Sequence, residues 1–108
     1  MKINKFVLQN FKRFSQKTIE FAKGFNVVIG ENESGKSTIV EALFLILYAN
    51  PASKSKDLIR YYSWKNDKPF SLELEFEILG EKYYLKKDFS TRDGVLRTPT
   101  GKEITSLD

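Results

Sequence analysis

The stretch from Gly30 to Thr38, G-E-N-E-S-G-K-S-T, constrains the fold most, because it fits the phosphate-loop pattern G-x-x-x-x-G-K-[ST]. Before it, the apolar run from Phe25 to Ile29 is rich in β-branched and aromatic residues and predicts a buried strand. After it, apolar residues from Lys36 to about Asn50 recur at a spacing that covers one broad face of a helix. Strand, loop and helix are thus predicted in the order that such a loop requires.

A loop of small residues that enters a helix directs several backbone N–H groups to one point, where the helix dipole also favours negative charge. Gly30 and Gly35 would let phosphate oxygens approach the backbone closely. The pattern assigns Lys36 to the β- and γ-phosphates and the Ser37 hydroxyl to Mg²⁺. We therefore expect a bound nucleoside triphosphate with Mg²⁺; the alternative is a Gly-Lys-Ser helix start that binds no ligand.

Length and composition limit the class of protein. The 108 residues, 41% of them hydrophobic, predict one small domain, residues 1–108, with a modest core. Cysteine and histidine are both absent, which excludes a disulfide framework and a zinc or redox site and suits a cytoplasmic protein. The most apolar segment, Ala42 to Ala49, is far shorter than the roughly 20 residues needed to cross a bilayer, so we interpret it as a buried helix.

The N-terminal part of the chain is basic. Residues 1–30 carry a single acid, Glu20, against the cations Lys2, Lys5, Lys12, Arg13, Lys17 and Lys23. Such an excess suits phosphate binding, either in a nucleotide or in DNA, although an ordinary solvated surface explains each lysine taken singly about as well.

Two hairpins are predicted on either side of the loop and helix. Lys2 to Phe11 and Thr18 to Phe21 read as paired strands, with the connection Lys12-Arg13-Phe14-Ser15-Gln16 as their tip. Asp57 to Trp64 reads as a short helical turn. Further on, Ser71 to Ile78 alternates strictly, with three glutamates on the face opposite the apolar residues.

The alternating strand should continue into a second hairpin. Gly80-Glu81 is expected to form its tight turn, and Lys82 to Phe89 its returning strand. Asp93-Gly94 and Thr100-Gly101 are expected to be turns around Val95 to Arg97. The fold class is therefore α/β: a mixed sheet whose central strand leads into the loop and helix, flanked by antiparallel hairpins. Its core should be incomplete, with an apolar sheet edge or helix face exposed.

These features resemble a family, the N-terminal half of the ATP-binding head of SMC-like ABC-type ATPases, which includes SMC proteins, SbcC, RecF, RecN and the archaeal double-strand-break repair ATPases. The likeness runs nearly end to end. It includes Asn10-Phe11-Lys12 at the end of the first strand, the loop Gly30 to Thr38, and Ile39-Val40-Glu41-Ala42 in the helix. In the repair ATPases the residue before the small residue of the loop is often glycine, whereas here it is Glu33, giving Asn-Glu-Ser-Gly-Lys-Ser. The loop therefore looks more like that of the YhaN-like and overcoming-lysogenization-defect branches.

The resemblance implies an incomplete P-loop first lobe that binds ATP and Mg²⁺. A cation at the hairpin tip, Lys12 or Arg13, would contact the nucleotide. The loop, which includes Glu33, would contact phosphate through Asn32, Ser34, Gly35, Lys36, Ser37 and Thr38. Implied partners are the C-terminal half of the same head, a second head in an ATP-sandwiched dimer, and DNA, in repair or chromosome maintenance.

Several parts of a complete head are missing from the sequence. The metal-contacting glutamine, the LSGG-type signature, the strand ending in Asp-Glu and the switch histidine are not found. Without a general base or a group that positions water, a bound γ-phosphate should hydrolyse very slowly. We therefore predict that this chain alone does not turn over ATP appreciably.

Two other readings remain. A P-loop GTPase or small kinase would be an enzyme of another class, but Asn66-Asp67-Lys68 does not supply the Asn-Lys-x-Asp motif that reads guanine. A non-catalytic module could instead bind nucleic acid through its basic hairpin and aromatic residues. DNA affinity that ignores both ATP and Lys36→Ala would favour the module.

Overall fold

The computed structural model describes residues 2–20, 33–51 and 56–105, and for residues 33–37, 56 and 57 it describes the backbone only. Their elements, in chain order, are β1 (Lys2–Phe11), β2 (Phe14–Glu20), α1 (Glu33–Tyr48), a 3-10 helix (Lys56–Tyr61), β3 (Ser71–Ile78), β4 (Glu81–Asp88), β5 (Asp93–Arg97) and β6 (Glu103–Ile104). The strands form one six-stranded sheet in the order β2-β1-β3-β4-β5-β6.

All described strand pairs in this sheet are antiparallel. The predicted mixed sheet depends on a strand from Phe25 to Ile29, which lies outside the described residues. What the described part of the chain forms is an antiparallel sheet with one α-helix, in agreement with the predicted hairpins.

The alternation in β3 sorts its side chains as predicted. Leu72, Leu74 and Phe76 are buried. Leu72 pairs with Leu8 of β1 and Leu74 with Phe6, so that apolar side chains of adjacent strands lie side by side on the inner face. Helix α1 packs on this face through buried residues, namely Ile39, Ala42, Leu45 and Ile46. The core thus lies between one face of the sheet and one side of a single helix.

The β1–β2 hairpin is tighter than predicted. Phe11 pairs with Phe14, which leaves only Lys12 and Arg13 in the turn. The predicted tip was too long because residues 15–18 of β2 are exposed polar residues, and such an edge strand carries no alternation of apolar residues that could reveal it.

Helix α1 begins earlier and ends earlier than predicted. It starts at Glu33, inside the glycine-rich motif, and ends at Tyr48. The early end follows from Pro51, because a proline disfavours helical backbone at the residue before it. The buried amine of Lys87, on β4, donates a hydrogen bond of 2.7 Å to the carbonyl of Ala49 just beyond the helix. Burial lowers the pKa of this amine.

The β3–β4 turn lies one residue earlier than predicted. Ile78 pairs with Glu81, so the two turn residues are Leu79 and Gly80, with φ of 52° and 80°. Positive φ at both positions matches a type I′ turn, for which leucine is a poor residue. The prediction was wrong because propensity would not place a leucine in left-handed backbone.

The remaining boundaries also differ from the sequence prediction. Asp93-Gly94 belongs to β5, where Gly94 pairs with Lys87, and the turn precedes it at residues 89–92. The helical turn expected from Asp57 to Trp64 is the 3-10 helix Lys56–Tyr61. The turn at Thr100-Gly101 is confirmed, since the Gly101 amide donates to the Thr98 carbonyl at 2.9 Å.

Candidate functional site: the hairpin tip beside α1

The tip of the β1–β2 hairpin is held on both sides by backbone hydrogen bonds. The Lys12 amide donates to the Tyr61 carbonyl at 3.0 Å, and the Lys12 carbonyl accepts from the Trp64 amide at 2.8 Å. Phe11 and Tyr62 form an isolated antiparallel bridge between these contacts. Lys12 has a φ of 50°, an unfavourable value for a lysine that these surrounding contacts hold in place.

The Lys12 side chain connects this tip to helix α1. Its Nζ atom donates to Oε1 of Glu41 at 2.6 Å and lies 5.3 Å from the centre of the Tyr61 ring. The two charged side chains are 18% and 37% exposed, so the ion pair is partly shielded from water and from salt. The pair therefore fixes the position of the tip relative to α1.

A cluster of packed aromatic rings adjoins the tip at Phe11. Phe11 is fully buried and stacks on Tyr61 with ring centres 5.6 Å apart. It also meets Phe70 edge-on at 5.0 Å, and Phe70 stacks on Phe89 at 4.3 Å. These ring contacts pack the end of β1, where Lys12 follows Phe11, against the 3-10 helix and the start of β3.

The predicted site residues fall into three groups. Gly30 and Asn32 lie outside the described residues. Glu33, Ser34, Gly35, Lys36 and Ser37 form the first turns of α1, described for the backbone only. Thr38 is buried, 5% exposed, in α1.

The two predicted cations of the tip differ in their surroundings. Lys12 lies against Glu41, as described above, whereas Arg13 is exposed, and its guanidinium carbon lies 5.8 Å from the centre of the Phe14 ring. Both stand in the two-residue turn beside α1.

Two residues of this region were not singled out from the sequence as site residues. Glu41 binds Lys12 across 29 positions of the chain, and no local pattern signals a contact at that separation. Trp64 is 66% exposed although its amide is fixed to Lys12. The one sequence signal for it is a lone tryptophan between the polar residues Ser63 and Lys65.

The glutamates of β3 are engaged with their neighbours on the outer face of the sheet. Glu73 accepts a hydrogen bond from the Tyr84 hydroxyl, and burial and this carboxylate together raise the pKa of that hydroxyl. Glu75 lies 3.8 Å from the Lys5 amine, and Glu77 accepts from the Asn4 amide at 2.8 Å. Within residues 2–20, 33–51 and 56–105, no group of three or more potential ligands could hold a metal ion.

Helix α1 carries an exposed apolar stripe on the side away from the sheet. Its residues Val40, Phe44 and Tyr48 follow one another at intervals of four and are 62%, 63% and 73% exposed. We call these three residues the α1 stripe. Among the described helices, none has the length and apolar character required to span a bilayer.

A Gly-Lys-Ser motif in the first turns of a helix, packed on an antiparallel sheet, points to the class of P-loop nucleotide-binding proteins. The family model described as "AAA domain" matches residues 5–106, and the chain belongs to that family.

Relatives narrow the class further. The DNA double-strand break repair Rad50 ATPase of Archaeoglobus fulgidus is 37% identical over 94% of this chain and 11% of its own length. The corresponding ATPase of Methanocaldococcus jannaschii is 36% identical over 88% of the chain and 9% of its length. The DNA replication and repair protein RecF of Acetivibrio thermocellus is 39% identical over 53% of the chain and 15% of its length.

The resemblance drawn from the sequence is thereby confirmed: the chain is similar to the N-terminal segment of SMC-like ABC-type ATPases. It spans about a tenth of the length of the Rad50 relatives.

Proposed function

We propose that this chain binds ATP and Mg²⁺ through Gly30 to Thr38, as the N-terminal segment of an SMC-like ATPase head that acts in DNA repair or chromosome maintenance. Lys36 contacts the β- and γ-phosphates, Ser37 ligates Mg²⁺, and a cation of the tip, Lys12 or Arg13, contacts the nucleotide. The relatives named Rad50 ATPase and RecF support this setting.

The observation that carries the proposal is the start of α1 within the motif, at Glu33. The first amides of a helix lack acceptors within the helix, so Glu33, Ser34 and Gly35 offer their N–H groups to an anion. The helix dipole adds favourable potential at the same place. The contact between Lys12 and Glu41 holds two further cations of the tip beside this helix.

Hydrolysis, in this proposal, requires a C-terminal segment of the head. The chain offers no histidine and no strand ending in Asp-Glu to position or activate water. A bound nucleotide is therefore held without appreciable turnover until the second segment and a second head complete the site.

The α1 stripe supports the proposal that a C-terminal segment of the same head packs against this chain. Three large apolar side chains in a row on one helix form a surface that favours burial. The Rad50 relatives are about ten times as long as the chain, so most of their length is available to cover such a face. We assign the stripe to the C-terminal segment of the same head.

The outer face of the sheet is a poor surface for DNA. Register places its cations, Lys2, Lys5, Lys82, Lys86 and Arg97, among a larger number of carboxylates, Glu20, Glu73, Glu75, Glu77, Asp88, Asp93 and Glu103. Phosphate contacts require cations in excess. DNA held by the complete head is therefore expected elsewhere, and its binding should depend on ATP.

Calorimetric titration with Mg-ATP tests the proposal. We expect micromolar binding by the wild type and no binding by Lys36→Ala. The matched control is Lys82→Ala, which removes a positive charge from an exposed position of β4 and should keep the binding. Equal binding by all three chains, or none by the wild type, would contradict nucleotide binding by the loop.

The rate of phosphate release from ATP tests the need for a second segment. A rate above that of Lys36→Ala would contradict it. DNA affinity that ignores ATP and Lys36→Ala would favour the non-catalytic nucleic-acid module.

A further inference from the structure

Lys87 is the one charged residue that is buried within the described side chains. It is 5% exposed and lies on the inner face of β4, where it pairs with the buried Leu72 of β3. No carboxylate of the described residues forms an ion pair with it. Lysine is almost never fully buried unless it is paired, because burial of a charge without a partner is unfavourable. The contact that offsets this cost is the hydrogen bond from its amine to the carbonyl of Ala49.

This hydrogen bond caps the C-terminal end of helix α1. The last carbonyls of a helix lack donors within the helix and form the negative end of its dipole. The last turn of α1 contains no basic residue of its own. The Lys87 amine lies 2.7 Å from the Ala49 carbonyl, and the Ala49 amide still donates to the Leu45 carbonyl at 2.9 Å. A cation on β4 therefore supplies the charge that the helix lacks and attaches the end of the helix to the sheet.

Side chains of the sheet thus hold α1 by polar contacts at two points. Lys12 binds Glu41, and Lys87 binds Ala49, eight residues further along the helix or about 12 Å along its axis. Glu33, the first residue of α1, lies eight residues to the other side of Glu41. A rigid helix that pivoted about Glu41 would therefore move at its start by about as much as at its end.

We infer that Lys87 is a positioning residue for the phosphate loop, because it fixes the far end of α1 and thereby the direction in which the helix presents its first amides; the inference rests on the proposed function. Ala49 follows Lys36 by thirteen residues, or about 20 Å along the helix, so Lys87 acts through α1 and does not touch the phosphates.

A hydrogen bond can set this direction more sharply than the apolar contacts of α1 can. Apolar burial is not directional, whereas a hydrogen bond of 2.7 Å fixes both the distance and the angle between its groups. An anion at the helix start must accept from several N–H groups at once, each at about 2.7–3.2 Å. A displacement of about 1 Å at the helix start would break some of these hydrogen bonds.

Lys87→Met tests the inference, because it keeps most of the side-chain stem and removes the charge and the donor. The matched control is Lys86→Met, which removes the same charge one position earlier, on the outer face of β4. In NMR spectra of the isotope-labelled chain without nucleotide, Lys87→Met should shift the amide resonances of residues 33–37, and Lys86→Met should not. In calorimetry, Lys87→Met should weaken the binding of Mg-ATP and of Mg-tripolyphosphate by the same factor, roughly tenfold, because the two ligands share the phosphates.

Urea unfolding of each variant separates positioning from stability. Lys87→Arg, which retains a cation with N–H donors, should restore most of the affinity. If Lys87→Met does not fold, Lys87→Gln, which keeps an uncharged donor on a shorter stem, takes its place with the same expectations. A lower free energy of unfolding with unchanged affinity and unchanged resonances at residues 33–37 would assign Lys87 a purely structural role and overturn the inference.

The same measurements distinguish failure of the inference from failure of the proposed function. Loss of ATP binding in Lys36→Ala, together with wild-type affinity in Lys87→Met, would overturn the inference and leave the proposed function in place. Absence of ATP binding by the wild type would overturn the proposed function. The resonances of residues 33–37 would then decide on their own whether Lys87 positions the start of α1. Equal weakening in Lys86→Met and Lys87→Met would reduce the effect to net charge and overturn the inference.

Discussion

The ion pair between Lys12 and Glu41 should stabilise the fold more than a surface pair does, and its contribution can be isolated. The perturbations are Lys12→Met, which keeps most of the side-chain stem, Glu41→Gln, and the double variant. If the pair fixes the tip to α1, each single variant loses the same interaction and the double variant loses it only once.

The magnitude follows from the geometry of the pair. Two unit charges 2.6 Å apart attract by roughly 6 kcal/mol at an effective dielectric constant of about 20. Desolvation of both groups offsets most of this attraction. Exposed pairs retain about 0.2–1 kcal/mol, and hydrogen bonds to charged groups about 1.5–3 kcal/mol. For side chains 18% and 37% exposed we expect a coupling energy of about 1–2 kcal/mol.

Urea unfolding of the four chains measures this coupling, with the midpoint and the slope fitted together. The matched control is the same cycle on Lys5 and Glu75, whose atoms are 3.8 Å apart and whose side chains are 40% and 49% exposed. That pair should couple by less than about 0.5 kcal/mol. Coupling at Lys12–Glu41 within about 0.3 kcal/mol of zero, or no larger than in the control, would refute the view that this pair anchors the tip.

Three further predictions concern the sheet and the helix. Leu79→Asn should raise the free energy of unfolding by about 1 kcal/mol, because asparagine accepts left-handed backbone and removal of the exposed leucine side chain costs no packing. An unchanged melting temperature, or an equal gain in Leu79→Ala, would contradict this prediction. Without a partner segment to cover the α1 stripe, we expect the isolated chain to self-associate. Phe44→Ser should abolish this association in sedimentation at little cost in stability, whereas Ile46→Ala, fully buried in α1, should cost about 2–5 kcal/mol. Association unaffected by Phe44→Ser would exclude the stripe as its cause. Burial opposes the charge of Asp88, yet hydrogen bonds from Ser90 and Thr91 hold its pKa below the ordinary 3.8. The stabilisation is present above that pH and lost as the pH falls further, and solvent screens it because these hydrogen bonds lie at the surface. Asp88→Asn should therefore cost at most about 0.5 kcal/mol at neutral pH and nothing measurable at about pH 2, and a difference independent of pH would be inconsistent with this linkage.

Elements with a repeating apolar pattern could be predicted from the sequence. The alternation in β3 identified its buried leucines, and the helical spacing after Lys36 identified α1. Strand β2 was detected only in part, because an edge strand of exposed polar residues has no such pattern. The turn at Leu79 was misplaced because pairing of the flanking strands imposes a backbone conformation that leucine alone disfavours.

The contacts of the candidate site could be predicted only in part, because most of them join residues that are far apart in the sequence. Lys12 could be identified as a tip cation, since the hairpin is local. Its partner Glu41 is 29 positions away, and only the folded chain brings the two together. The same holds for Trp64, whose relation to Lys12 depends on a backbone hydrogen bond that no side-chain pattern records.

The strand order has a consequence for folding. Each neighbouring pair in the sheet joins consecutive strands except β1 and β3, where Gln9 contacts Ser71, 62 positions away. The meander from β3 to β6 needs only short loops and can form early, whereas closure of β1 on β3 must first overcome the entropy of a long loop. That long loop contains the glycine-rich motif and α1. Any ligand that binds the motif only in the closed chain thus favours closure by mass action, by about 2.7 kcal/mol at a hundred times its Kd. If that ligand is the nucleotide of the proposed function, its concentration would set how much of this segment is folded.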